Sequence, residues 1–373
     1  MLREVTVWLP PQIAGHDLLI PSKLAARIEE CLREITALDT SHGAHLGALG
    51  TMLLRTESVA SSKIEQVEAD VTDYARALHG MKSNQSATSM AAATVALEEL
   101  IDSVSGGDDL TMAAVLRSHR ALMRDDPGET AYAGRTRDMQ NWIGGSDHSP
   151  RNAVYVPPPP ETVDGYMDDL VAFANRDDLS AMVQAAITHA QFESIHPFTD
   201  GNGRIGRALV NAVLRRRAVT ATVVVPLASA LVARREAYFE ALTRYREGDP
   251  EPIIAAFARA SSLAAQESRV TATRMAEFPL GWRDAVGRVR SDSATARLLA
   301  LLPAVPVFSA AEVEQRVGGA TSALYRAVEL LAEAEVLRPL TDRKRNQVWG
   351  VGDMLDELDD LSVRIGAAAR ADT

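Results

Sequence analysis

From His196 to Arg207 the chain reads His-Pro-Phe-Thr-Asp-Gly-Asn-Gly-Arg-Ile-Gly-Arg, which gathers an imidazole, a carboxylate, two close glycines and two arginines. These residue types suit the transfer of a phosphorus-bearing group. The amides of Gly201, Asn202 and Gly203, placed at a helix start, can converge on one anion, and the helix dipole adds attraction. Arg204 and Arg207 are three positions apart on a helix, so both can offer planar donor forks to phosphate oxygens. Asp200 supplies a hard oxygen of the kind Mg2+ combines with water and substrate phosphates. His196 can accept a proton from an incoming hydroxyl near neutral pH. The window lacks the Lys-Ser/Thr ending of a P-loop, which excludes the ordinary NTPase reading.

Two helices must hold this window. Upstream, Leu179, Met182, Val183, Ala186, Ile187 and Ala190 recur at helical spacing and predict a helix with one buried face. Pro197 pushes His196 out of the α region, and Gly201 and Gly203 permit backbone angles that other residues avoid. Downstream, Ile205, Ala208, Leu209, Ala212 and Val213 form a second apolar stripe, with Arg204, Arg207, Asn211 and Arg215 sharing the other side.

A chain of 373 residues exceeds one ordinary core, so two or three domains are expected. Its 46% hydrophobic and 24% charged residues are those of a folding, globular chain. A formal charge of -11 argues against non-specific coating of nucleic acid or anionic membranes. The single Cys31 excludes an internal disulfide and fits a reducing compartment as a buried structural thiol. With no secretory pattern and no run long enough to span a bilayer, a cytoplasmic, non-membrane location is expected.

In chain order, residues 1–22 read as an extended arm. Helices are expected from Lys23 to Leu38 and from Leu46 to Leu78, with a polar loop from Lys82 to Ser89. Further helices are expected over Ala91–Val104 and Leu110–Met123, the latter capped by Asp109. The second helix contains a hydroxyl-rich run from Thr56 to Ser62, which weakens helices and signals close packing or a polar contact. Met139–Ile143 and Ala153–Val156 predict a hairpin, followed by a stiff spacer from Pro157 to Pro160 and a helix over Val163–Asn175. A helix over Pro250–Arg274 precedes a break at Phe278-Pro-Leu-Gly-Trp282.

The window at 196–207 resembles a complete Fic motif, His-x-Phe-x-Asp/Glu-Gly-Asn-Gly-Arg-x-x-Arg, with every fixed position matched. Fic proteins are mostly helical, and most with this form of motif transfer AMP from ATP to a hydroxyl of a target protein. The resemblance implies His196 as general base, Phe198 as the loop's core anchor and Asp200 as the Mg2+ ligand. It gives Gly201, Asn202 and Gly203 as the anion nest, Arg204 on the α/β-phosphates and Arg207 on the γ-phosphate. The hairpin resembles the Fic flap, whose exposed edge, here Asn141, Trp142 and Ile143, aligns a target segment by strand addition. Tyr238 falls where related proteins often place an aromatic residue near the adenine. Ser61-Ser-Lys-Ile-Glu65-Gln66 resembles the inhibitory motif Ser/Thr-x-x-x-Glu-Gly/Asn, in which Glu65 would pair with Arg207 and occupy the γ-phosphate fork; Gln66 departs from the pattern.

Beyond the core, helices over 292–302, 309–317 and 321–335, a turn at Gly318-Gly319 and strand-like runs over Val336–Leu340 and Gln347–Val351 fit a winged helix-turn-helix. Arg343, Lys344 and Arg345 could touch phosphates at its wing, yet Glu329, Glu333 and Glu335 beside Arg326 weaken the field for DNA, favouring a protein-binding or dimerisation module.

The expected fold is therefore predominantly all-α: a Fic helical core with a β-hairpin flap, plus a C-terminal winged helix-turn-helix. The expected division is 1–104 (arm and helices, with an inhibitory helix at about 56–78), 105–275 (catalytic core with flap at about 135–160), 290–355 (winged-helix-like) and a tail over 356–373. The expected activity is an autoinhibited protein adenylyltransferase that uses ATP and Mg2+ on a Ser, Thr or Tyr hydroxyl of a target or of itself. Glu65 could also help water remove AMP from a modified target. The alternative is a transcription regulator with a Fic core that binds DNA and transfers little or nothing.

Overall fold

The computed structural model describes residues 4–40, 46–81, 83–146, 148–341 and 347–372. Lys82 and the wing cations Arg343, Lys344 and Arg345 lie outside them. Among the described residues the chain is mostly helical, with a small three-stranded sheet near the C-terminus.

The centre is a helical pair. α7 (Ala181–Ile195) is buried on every side rather than along the one face expected, because helices surround it. Leu179 lies before the helix, not in it. α8 (Asn202–Arg216) packs on α7, and Arg204, Arg207 and Asn211 on its polar side are buried too, Arg207 against the end of α2 (Leu46–Ile64), the helix that follows α1 (Ser22–Thr40). The expected single helix through Leu78 is broken in two: α2 stops at Ile64, and α3 (Val71–Leu78) restarts behind an Asp70 cap. The inhibitory residues therefore sit at a helix end, not within a helix over 56–78.

α4 (Gln85–Asp102) starts at an Asn84 cap and absorbs most of the expected polar loop. α5 (Met112–Met123) is capped by Thr111, whose hydroxyl accepts from the Ala114 amide; Asp109 instead pairs with Arg216. α6 (Val163–Ala174) follows the proline spacer, and α9 (Ala228–Ala233) and α10 (Arg235–Arg246) follow α8. α11 (Glu251–Val286) runs straight through the predicted break, with Pro279 inside it and Trp282 buried. The core extends into that region, and burial overrides the local signals.

Next come α12 (Ala294–Leu301), β1 (Val307–Ser309), α13 (Ala310–Val317), α14 (Thr321–Glu333), β2 (Leu337–Pro339) and β3 (Val348–Val351). The strands are antiparallel in the order β1-β3-β2. The expected tail is instead α15 (Gly352–Ala371), whose Leu358, Leu361, Ile365 and Ala369 are buried as it packs on α9 and α11. Cys31 is buried in α1, and burial, with Glu30 and Glu34 adding, pushes its thiol up to about 12.

The strap between α8 and α9 is fixed from two sides. Asn211 donates to the Val225 carbonyl and accepts from its amide, while the Asp39 carboxylate accepts from the amides of Ala221, Thr222 and Val223 at 2.6, 3.0 and 2.8 Å. Removing that acceptor leaves three amides unpaired. Asp39→Ala is expected to lower the unfolding free energy by about 2 kcal/mol, read by urea melts; a loss below about 0.5 kcal/mol contradicts this account.

Candidate active site

The turn between α7 and α8 is built from the inside. Phe198 is fully buried and stacks on His119, ring centroids 3.7 Å apart and 4° from parallel. The Gly134 amide donates to His119 Nδ1 (3.0 Å), which leaves Nε2 to meet the Asp200 carbonyl at 3.1 Å. Burial, reinforced by Arg204, lowers His119 to about 4 against the hydrogen bond to Asp200, so the ring is neutral. Asn202 closes the turn on itself: its Oδ1 accepts from the Phe198 amide and its Nδ2 donates to the Phe198 carbonyl, both at 2.8 Å. Its side chain is thus a brace, and only its backbone faces outward to a ligand. Gly201 has φ 77°, and a side chain there would strike Met123 and Leu122.

His196 ends α7 in the left-handed region, φ 50° and ψ 61°. For a side-chained residue this costs about 1–2 kcal/mol. Arg137 meets that cost, and its only mark in the sequence is that of a lone arginine in a loop. Arg137 is buried; its Nε donates to the His196 carbonyl (2.9 Å), Nη2 to Ile195 (3.4 Å) and Pro158 (2.6 Å), Nη1 to Met139 (3.1 Å), and its amide to Pro197 (2.9 Å). Burial lowers the His196 imidazole to about 3, with Arg246 and Arg137 adding and Glu65 opposing.

Arg204 and Arg207 have different partners. Arg204 donates to Ser89 Oγ (2.8 Å) and to Asp200 Oδ2 (3.3 Å), with Asp200 exposed at the rim. Arg207, 1% exposed, donates through Nε to Ser61 Oγ (2.8 Å) and through Nη2 to the Ser61 carbonyl (2.9 Å) and Glu65 Oε1 (2.8 Å). Glu65 Oε1 lies directly over Gly203, where any side chain would collide with it. A carboxylate thus sits at the start of α8, while the Gly201 amide donates to Asp200 Oδ1 (2.6 Å). Burial opposes that charge, but Arg207 outweighs it and the Glu65 carboxyl is held below its ordinary value. The ion pair therefore stands at neutral pH and is lost only as pH falls below the ordinary carboxylate range.

The end of α2 explains Gln66. The carbonyls of Ser61 to Ile64 are all engaged: Ser61 by Arg207, Ser62 by the Glu65 and Val67 amides, Lys63 by the Gln66 amide and Ile64 by Arg235 Nε. This is a left-handed helix cap with Gln66 at φ 62°, the position that favours Gly or Asn.

Tyr238 is buried, its hydroxyl 2.8 Å from His189 Nε2 and its ring against Phe257; the exposed neighbouring ring is Phe239, beneath Arg235. One expectation needs correction. The flap forms isolated bridges, Ile143 to Tyr155 and Ser146 to Ser149, not continuous strands. Ile143 spends its backbone inside the hairpin, and Asn141 Nδ2 turns inward to the Phe198 carbonyl (2.9 Å). Trp142 precedes the bridge at Ile143, and its Nε1 donates to the Ser146 carbonyl (2.8 Å). The arm takes the opposite edge, the Trp8 amide donating to Val156.

Residues 109–214 match the family model described as Fic/DOC family. Protein adenylyltransferase Fic of Nematostella vectensis is 30% identical over 159 residues, 42% of this chain and 33% of its own length. Protein adenylyltransferase fic-1 of Caenorhabditis elegans is 30% identical over 163 residues, 43% of this chain and 28% of its own. The chain thus spans about a third of the length of the curated relatives it matches. In fold it is similar to a Fic family protein from Desulfovibrio desulfuricans G20, with TM-score 0.59 and 20% identity over 92% of this chain and 98% of that one. It is also similar to Fic-1 from C. elegans, with TM-score 0.52 and 21% identity over 68% and 74%.

The cap makes its own prediction. Gln66→Gly is expected to keep the Glu65 contact and raise stability by about 0.5–1 kcal/mol, measured by thermal or urea unfolding. A loss of stability would show that the left-handed turn at Gln66 is not the strained point.

Proposed function

We propose that this chain, whose residues 109–214 match the Fic/DOC family model, is a protein adenylyltransferase held in check by Glu65. The observation that carries the reading is the Glu65 carboxylate lying on Arg207 and over Gly203, a built-in anion where a nucleotide phosphate belongs. ATP enters when Glu65 leaves. The amides at the start of α8 then receive its phosphates, with Arg204 on the α/β-phosphates and Arg207 on the γ-phosphate.

A Ser, Thr or Tyr hydroxyl of the target, presented along the flap beside Trp142, attacks the α-phosphorus. The new O–P bond forms as the bond to the bridging oxygen breaks. Pyrophosphate leaves, and the hydroxyl proton passes to His196. The same phosphates raise His196 from its depressed value, since nearby negative charge favours the imidazolium. In-line placement and charge neutralisation supply the rest.

Mg2+ fits the rim: Asp200 is one exposed carboxylate beside the phosphate cradle, and Mg2+ characteristically takes one or two carboxylates, water and phosphate oxygens. Bound there, it would neutralise pyrophosphate charge. Among the described residues no cluster of three or more His, Cys, Asp or Glu forms an all-protein metal cage.

Residues 290–355 suit a winged-helix-like unit engaged with protein. Its α14 exposes Glu329 and Glu333 beside Arg326, and no observation favours the DNA-reading alternative. No described helix is long and apolar enough to cross a membrane.

Labelling with ATP radioactive at the α-phosphate tests this reading. Glu65→Gly is expected to raise incorporation into self or target at least about tenfold over the unmodified chain, and Glu65→Gly with His196→Ala to abolish it while ATP still binds. Equal labelling of the Glu65→Gly and unmodified chains, beside an active control enzyme, would sink the brake. Label that survives loss of His196 would remove its role as base.

A further inference from the structure

We infer that Arg137 is a positioning residue for His196: it fixes the peptide units on which the imidazole is mounted and ties them to the stem of the flap. This rests on the reading of His196 as the base.

Three consecutive carbonyls, Ile195, His196 and Pro197, are all received by Arg137, two by its guanidinium and one by its amide. They converge on one residue because His196 departs from the helix into the left-handed region. The other guanidinium bonds, to Met139 and Pro158, hold both ends of the flap stem. One planar fork therefore sets the flap and the base in a single frame. The hydroxyl that docks along the flap and the nitrogen that takes its proton are registered through it. Near-attack geometry tolerates little error, so this registration bears on turnover more than on nucleotide binding.

The charge of Arg137 acts in the same direction. His196 is faced by the charges of Arg137 from the flap stem, Arg246 from α10 and Glu65 from the end of α2, and by the backbone of Glu193 from α7. The two arginines disfavour the imidazolium and keep the ring free to accept a proton. Burial lowers Arg137 itself only to about 10, so it stays charged at neutral pH.

The test uses the full-length chain in the Glu65→Gly background, with Arg137→Lys and Arg137→Gln added singly. Lysine keeps the charge but loses the fork. Both variants are expected to bind ATP within about threefold of the parent by calorimetry and to lose about 100-fold in kcat well below their melting temperatures. The acid limb of kcat/KM should stay in place for Arg137→Lys and move up by about half a pH unit or more for Arg137→Gln. NMR titration of the His196 imidazole should show the same pair of results and needs no turnover. If Glu65→Gly alone proves inactive, the adenylyltransferase reading fails, and the NMR titration still decides on Arg137. Rates that fall only with the folded fraction, or a His196 titration unmoved in Arg137→Gln, would make Arg137 a purely structural clamp and overturn the inference.

Discussion

The buried charge of Arg207 is the constraint from which the rest follows. A guanidinium with 1% exposure must have its donors met by protein, because desolvation without partners costs several kcal/mol. The partners come from a helix end far away in sequence: the Ser61 hydroxyl, the Ser61 carbonyl and the Glu65 carboxylate. The start of α8 and the end of α2 are thus locked together in the closed state. On the proposed reading, a phosphate would take the place of the carboxylate on the fork and over Gly203.

The turn carrying His196 meets a different requirement, an awkward backbone held still. Its props are neutral or inward-facing: the Phe198–His119 stack, the Asn202 brace and the Arg137 clamp. His119 and His196 are both kept uncharged, chiefly by burial. The charged groups around them, Arg137, Arg204 and Arg207, are themselves buried, and each is met by protein acceptors.

Immediately after the Glu65 turn the chain enters α3, which is gripped by the C-terminal unit. Ala75 packs among Val307, Leu340, Val348 and Leu355, Arg76 Nε donates to the Leu340 carbonyl, and His79 Nδ1 lies 3.3 Å from Glu312. α15 then returns to pack on α2, α9 and α11. The end of α2 is accordingly held from both ends of the molecule, by the core through Arg207 and Arg235 and by the C-terminal unit through α3.

The sequence by itself determined the site motif, the helical class and the Ser61–Glu65 spacing, because these depend on residue types at fixed local intervals. It misjudged elements whose local signals were overruled by packing. The α11 helix ran through Pro279 and the expected tail became α15. Arg137 was illegible for a different reason: its importance lies in four carbonyls at positions 139, 158, 195 and 196, and backbone carbonyls leave no mark on side-chain pattern. The tertiary structure alone decided that Glu65 lies at a left-handed helix end and bears on Arg207. A charge pair separated by 142 positions exists only after the chain has closed the distance.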